Sequence, residues 1–227
     1  MISVITPVHN EAAILEENAR KLISAASSIS PLAELLLIDN GSTDSTLKIA
    51  QELSAKDPRI KALSIQQKDL GGALREGVLA ASGEYVVWYP IDLSIDFSYF
   101  NESLKEIEDF DIIVGSKEHP KSSVVRSKTR KFLSFFYNSF VNLLFNLRLS
   151  DTQCVKTFRA STVKPIAEEA RSSGIVWEVE LLYRVKKAHL KMKEVPVIVH
   201  DMRKGSKIRP LDMLKAFWNL IMLRLRI

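Results

Sequence analysis

At 227 residues the chain is long enough to bury a sizeable core as one domain, and its 46% hydrophobic and 26% charged residues exclude disordered, collagen-like and low-complexity classes. A single cysteine, Cys154, excludes an intrachain disulfide and a Cys-rich zinc module, and His9, His119, His189 and His200 are scattered without ligand spacing. The net charge of +5 conceals a split, −9 over residues 1–116 and +14 over residues 117–227; basic side chains crowd Lys117–Lys131 and Arg203–Arg209, so the second half calls for an anionic partner.

In chain order, the first half alternates short β-rich runs with stretches of helical periodicity. Ile2–Thr6 reads as a strand and Glu11–Ile29 as a helix, with Ile14, Ala19, Leu22, Ile23 and Ala26 recurring at roughly helical spacing. Glu34–Asp39 is a second strand, ending at the turn Asn40-Gly41-Ser42, whose polar cluster caps a helix over Asp44–Ala55. Ile60–Ile65, Gly71–Ala81 and Glu84–Tyr89 repeat strand, helix, strand; Phe100–Glu108 and Asp111–Gly115 add one more helix and strand. Strands one βα unit apart predict an α/β fold with a mostly parallel, Rossmann-like sheet and helices on both faces.

After Gly115 the texture changes. Phe132, Phe136, Phe140, Leu143, Leu144 and Leu147 share one broad helical face, while Ser134, Asn138, Asn142 and Asn146 occupy the other. With the basic cluster just before it, this pattern predicts an amphipathic helix in a membrane interface over about residues 127–149. Phe217, Trp218, Ile221 and Leu225 beside Arg224 and Arg226 repeat it over about 211–227. A core helix fits the first periodicity as well. The charge-free run Phe132–Leu147 is too short and too polar to span a bilayer, and no basic segment leads into Ile2–Val8, so no secretory signal is expected.

In parallel α/β sheets ligands bind outside the carboxyl ends of the strands, and the polar residues collect there: Pro7–Glu11, Asp39–Asp44, Lys68–Gly72 and Asp92. Asp39, at a strand tip, can accept hydrogen bonds from a nucleobase or ribose, and Gly41 lets backbone approach a ligand closely. Asp44 serves equally well as a helix cap. Asp92 follows the apolar run Tyr85–Tyr89 and suits a divalent cation that completes its shell with substrate phosphates and water, while Asp96 is better placed to cap the next helix.

These motifs, in this order, resemble the family 2 glycosyltransferases of the GT-A fold, and among them the polyprenyl-phosphate sugar transferases. Ile2–Glu11 resembles their opening strand and Pro-x-x-Asn-Glu turn, and Ile38–Thr46 their Asp-Asp-Gly-Ser-x-Asp-x-Thr segment. Gly71–Gly77 with Ala81–Glu84 is similar to the helix leading to their Asp-x-Asp strand, and Val114–Lys117 to a Gly-Ser-Arg element. Asp151–Cys154, Trp177–Leu182, Glu194–Val197 and Gly205–Lys207 look most like the dolichyl-phosphate β-glucosyltransferases.

The resemblance implies one GT-A domain over 1–227, with a nucleotide-sugar half (1–116) and an acceptor half (117–227). Pro7, His9, Glu11, Asp39, Lys68 and Gly72 would frame the nucleotide sugar, and Asp92 would hold Mg²⁺ or Mn²⁺ on its diphosphate. Arg203 and Lys207 would close over that diphosphate, and Lys117 and Arg130 would bind the acceptor phosphate. Asp151 would act as a base toward a hydroxyl acceptor or orient Lys117 or Arg130. The implied reaction is an inverting displacement that moves a hexose, glucose from UDP-glucose or mannose from GDP-mannose, onto a polyprenyl or dolichyl phosphate at the cytoplasmic face of a membrane. The chain departs from the family pattern at Pro90, where the first carboxylate of Asp-x-Asp is lost, and at Ser94, Asn40 and Leu70; the Gly expected after Cys154 is also absent. Two other readings stay open: transfer to a hydroxyl acceptor on a glycan, and a catalytically weakened protein that binds nucleotide sugars at a membrane. Nucleic acid is not expected, because the basic residues adjoin a Phe/Leu face rather than stacking aromatics on a sheet.

Overall fold

The computed structural model of the chain describes residues 1–125, 127–200 and 210–227. Its elements run β1 (Ile2–Val8), α1 (Leu15–Ile29), β2 (Glu34–Asn40), α2 (Thr46–Lys56), β3 (Ile60–Ile65), α3 (Leu70–Ala80), β4 (Tyr85–Trp88), α4 (Ser98–Glu106), β5 (Ile112–Ser116), β6 (Ser123–Val124), α5 (Lys128–Phe145), β7 (Lys156–Arg159), α6 (Ala160–Glu169), α7 (Val176–Lys187), β8 (Met192–Pro196), β9 (Ile198–Val199) and α8 (Pro210–Arg226). Seven strands form one sheet in the order β3-β2-β1-β4-β7-β5-β8, and β6 pairs with β9 beside it. All pairs in the large sheet are parallel except those of β7, which runs antiparallel to β4 and β5. The expected α/β sheet is therefore present, with one reversed strand.

That reversal places the site. β7 begins at Lys156, opposite Trp88 of β4 and Val114 of β5. The residues just before it, Ser150–Val155, thus arrive at the edge where the parallel strands end. At the same edge strand order reverses at β1, which has β2 on one side and β4 on the other, the position at which parallel α/β sheets take ligands.

Two apolar cores sandwich the sheet. One gathers Leu15, Leu22, Ala50, Leu53 and Phe100 from α1, α2 and α4. The other gathers Leu74, Val78, Val141, Val163, Trp177, Leu181 and Leu220 from α3, α5, α6, α7 and α8. Gly71 is required where α3 meets α7, since a Cβ there would lie 2.5 Å from Trp177 Cβ.

Several expected boundaries move for local reasons. α1 starts at Leu15 rather than Glu11, because Asn10 takes φ +55 and the Glu11 carbonyl accepts from Ile14 N and Leu15 N in a turn. α5 ends at Phe145, short of residue 149, because Asn146 adopts a left-handed conformation at φ +48. The two faces of α5 are divided between the core and the surface. Asn138 is buried, and Asn142 is half-buried and bonded to Arg148 N and Leu149 O. Tyr137, Val141 and Phe145 are buried, with Phe140 packed on Phe217 at 4.9 Å. Phe132, Phe135, Phe136 and Leu143 are exposed. Part of the polar face therefore turns inward and part of the Phe/Leu face turns outward. No described helix is long and apolar enough to cross a membrane.

Candidate functional site

β1, β2 and β4 deliver their expected residues to the same edge of the sheet. Asp39, next to last in β2, is almost fully buried. Its Oδ2 accepts from Ser42 N (3.3 Å) and Ser64 Oγ (3.4 Å), whereas its Oδ1 is buried without a hydrogen-bond partner among the described residues. A buried acceptor of this kind is costly unless a ligand donates to it, and an imide N–H or a ribose hydroxyl is such a donor. Gly41 follows at φ +66, and a Cβ there would meet Lys68 N at 2.9 Å, so the turn closes tightly over the loop after β3.

The loop after β1 is sewn to this turn. His9 Nδ1 donates to Asn40 O (3.0 Å), Asn10 N to Ser42 Oγ (3.0 Å), Thr43 N to Asn10 Oδ1 (2.8 Å) and Glu11 N to Thr46 Oγ1 (2.8 Å). Pro7, His9 and Glu11 are half-buried along it, and Lys68 is exposed on the neighbouring loop. Asp44 is a cap: it accepts from Thr46 N (2.9 Å), Thr46 Oγ1 (2.5 Å) and Ala12 N (3.3 Å), and the Thr46 hydroxyl chiefly holds its carboxyl below the usual range.

Asp69 is a participant that sequence reasoning passed over. Its Oδ1 accepts from Gly71 N (3.1 Å) at the start of α3 and from Gly174 N (2.6 Å) in the loop before α7, while its own N–H donates to Asn40 Oδ1 (2.7 Å). An Asp directly before a Gly-Gly helix start is a legible N-cap signal; its tie to residue 174 is not. Asn40, the departure from the family's second Asp, thus holds a backbone donor. A Cβ at Gly72 would lie 2.9 Å from Asp69 Oδ2, so a larger residue there would push on the Asp69 carboxylate.

Asp92 sits half-buried on a loop pinned from several sides. Thr6 Oγ1 donates to Tyr89 O (3.0 Å), Asn18 Nδ2 to Ile91 O (2.9 Å) and the Tyr89 hydroxyl to Ile95 O. Asp92 Oδ1 accepts from Ser94 N (3.1 Å), and Leu93 between them takes φ +52. Asp96 caps α4 through Ser98 N (2.9 Å). Among the described residues no group of three His, Cys, Asp or Glu side chains could enclose a metal. A lone carboxylate oxygen donor at this edge fits Mg²⁺ or Mn²⁺ held mainly by substrate phosphates. Arg203 and Lys207 lie outside the described residues; the chain enters that stretch from His200, whose N–H donates to Ser94 O at 2.8 Å.

A second corner forms where β5 ends. Asp151 Oδ2 accepts from Lys117 Nζ (2.7 Å) and Lys117 N (3.1 Å), and Oδ1 accepts from Gln153 N (3.1 Å); the Lys117 side chain is 18% and that of Asp151 3% exposed. Burial pushes the Asp151 carboxyl up, but the charge and hydrogen bonds of Lys117 outweigh it and hold the group below the usual carboxylate range. Of its two expected roles, the geometry matches orienting Lys117. Arg130 is half-buried on the first turn of α5, whose cap is Ser127 Oγ accepting from Arg130 N.

Known proteins bear on this geometry. The family model described as Glycosyl transferase family 2 matches residues 3–168. Glycosyltransferase AglD of Haloferax volcanii is 29% identical over 86% of the chain, which spans only 32% of that relative's length. A dolichyl-phosphate beta-glucosyltransferase of Dictyostelium discoideum is 31% identical over 92% of the chain and 69% of its own length. In fold, the chain is similar to glucosyl-3-phosphoglycerate synthase of Mycobacterium tuberculosis, solved with Mn²⁺, UDP and glucosyl-3-phosphoglycerate. There the TM-score is 0.65 at 21% identity, over 99% of this chain and 79% of that one.

Proposed function

The chain belongs to glycosyl transferase family 2, and from that premise we propose that it transfers a hexose, glucose from UDP-glucose in the first instance, onto a polyprenyl phosphate at a membrane surface. The observation that carries the acceptor is the Lys117–Asp151 corner. A hydroxyl acceptor needs a base to take its proton, and Asp151 is a poor one, because its oxygens are engaged by Lys117 and Gln153 and its carboxyl is held below the usual range. A lipid monophosphate needs none: its second pKa is about 6, so it arrives as an anion whose oxygen attacks the anomeric carbon directly. What it requires is a cation that lets two anions meet, and Lys117, with Arg130 beside it in this reading, supplies that.

On the donor side, Asp39 would take the base or ribose with its unpartnered Oδ1, and the loops carrying His9, Glu11, Lys68 and Gly72 would line the nucleotide. Asp92 would hold Mg²⁺ or Mn²⁺, which when bound stabilises the departing diphosphate as a Lewis acid. Arg203 and Lys207 would add charge to the same leaving group. The Dictyostelium relative supports the lipid-phosphate acceptor by its name, and the Mn²⁺ and UDP of the mycobacterial enzyme support the donor chemistry. The exposed Phe132, Phe135 and Phe136 on α5 and Leu214, Trp218 and Leu225 on α8 would rest at the membrane surface.

The test is transfer of radiolabel from UDP-glucose or GDP-mannose to a polyprenyl phosphate, with Mg²⁺ or Mn²⁺, read by partition into organic solvent. Label from one donor, falling about 100-fold or more in Asp92→Ala, is the expected result. Donor binding without label from either donor would instead favour a hydroxyl acceptor or a binding-only protein.

A further inference from the structure

The segment Ser150–Val155 is irregular backbone, so side chains from elsewhere must set its shape. Three elements grip it. Glu194 of β8, paired opposite Val114, accepts through a single oxygen, Oε1, from Ser150 N (2.8 Å), Ser150 Oγ (2.9 Å) and Asp151 N (3.1 Å). Asn138 of α5 accepts from Thr152 N (3.0 Å) and Thr152 Oγ1 (2.9 Å). Lys156 Nζ donates to Cys154 O (2.8 Å). Ser150 Oγ also lies 2.7 Å from Ser116 Oγ, and Ser116 directly precedes Lys117. Glu194 therefore touches one partner of the corner, Asp151, at its backbone, and is linked to the other, Lys117, by way of Ser150 and Ser116.

Resting on the lipid-phosphate reading above, we propose that Glu194 is a positioning residue for the acceptor: it fixes the Ser150–Asp151 turn and, through Asp151 and Ser116, the place of the Lys117 ammonium. The bonds it receives are charge-assisted, so removing the carboxylate frees the turn and leaves two N–H groups without their acceptor. The donor loops are held by other residues, namely Asn40, Asp69, Asn18 and Tyr89. Loss of Glu194 therefore acts on the acceptor and spares the donor.

The full chain carrying Glu194→Ala or Glu194→Gln tests this, with the thermal midpoint checked first. Three readouts are taken: UDP affinity by calorimetry, KM and kcat for a polyprenyl phosphate, and the ¹³C titration of the Asp151 carboxyl by NMR. Glu194→Ala is expected to raise the acceptor KM about tenfold, keep UDP affinity within about twofold and move the Asp151 titration upward; Glu194→Gln, whose amide oxygen still accepts, stays within about threefold of the parent in KM. An unchanged Asp151 titration in Glu194→Ala, or equal changes in UDP affinity and acceptor KM, overturns the proposal. If Glu194→Ala does not fold, Ser150→Ala cuts the Glu194–Ser150–Ser116 link alone. A rise of about threefold in acceptor KM then supports the proposal, and no rise overturns it. A parent protein that transfers to no polyprenyl phosphate fails the functional reading by itself, while the Asp151 titration still decides whether Glu194 holds the turn.

Discussion

Lys156 and Glu178 lie 1% and 3% exposed beneath the sheet edge, and each would be ruinous without the other. Lys156 Nζ donates to Glu178 Oε2 and to Cys154 O, and sits 4.8 Å above the Trp88 ring. Burial pushes the Glu178 carboxyl up against the pull of Lys156. Lys156→Met is therefore expected to destabilise the fold by about 3–5 kcal/mol, because it strands a buried carboxylate, whereas Lys156→Met with Glu178→Leu should recover most of the loss. Urea unfolding of the two variants measures both. At this scale the sequence marks Asp39 and Asp92 as candidates through their place at or just beyond the carboxyl ends of β2 and β4. It is silent on Lys156, because a Lys inside a strand looks like a solvent-facing residue until antiparallel β7 is seen between two buried neighbours. Asp44 shows the converse: its motif suggests ligand binding, and its hydrogen bonds show it capping α2.

At the scale of elements, α5 shows what periodicity can and cannot tell. The wheel separates a Phe/Leu face from an Asn/Ser face, and both groupings recur in the structure, but the helix is rotated so that residues of each face lie inside. An Asn is buried when a loop offers it donors, and the Ser150–Val155 segment does so at Thr152. Asn138→Ala should thus cost about 1–3 kcal/mol, the penalty for leaving the buried Thr152 N–H unsatisfied, as read by chemical denaturation. A solvent-facing Asn would have cost almost nothing, which makes the measurement a direct test of the rotation. α7 makes the same point from the opposite side. It is buried nearly all round, with Glu180 satisfied by Arg171 N, Ser172 N, Arg184 and Arg226, and no amphipathic pattern marks it.

Over the whole molecule, the acidic half supplies strands β1 to β5 and the polar loops at their carboxyl edge, and the basic half supplies α5 and α8 with their outward aromatic residues. Phe135 is 63% and Trp218 62% exposed, and in the sequence Phe135 closely follows Arg130 and Lys131, the arrangement on which the proposed membrane contact rests. Flotation with anionic vesicles is expected to carry the parent protein upward. Phe132→Ser combined with Phe135→Ser and Phe136→Ser should leave it at the bottom, and raised salt should weaken the parent's binding only in part. Because these side chains are exposed, each substitution should shift stability by no more than about 0.5 kcal/mol, so lost flotation would report the surface rather than the fold.

The sequence by itself determined the alternation of strands and helices, the parallel sheet and the polar residues at its carboxyl edge, since local periodicity and turn chemistry specify these and parallel topology then collects the strand tips at one edge. Tertiary structure alone decided that β7 runs backward and brings Asp151 to Lys117, that Glu194 and Asp69 reach across to distant loops, and which side of α5 is buried. These depend on contacts between residues far apart in the chain, and nothing in the spacing of side chains along one element records what another element will present to it.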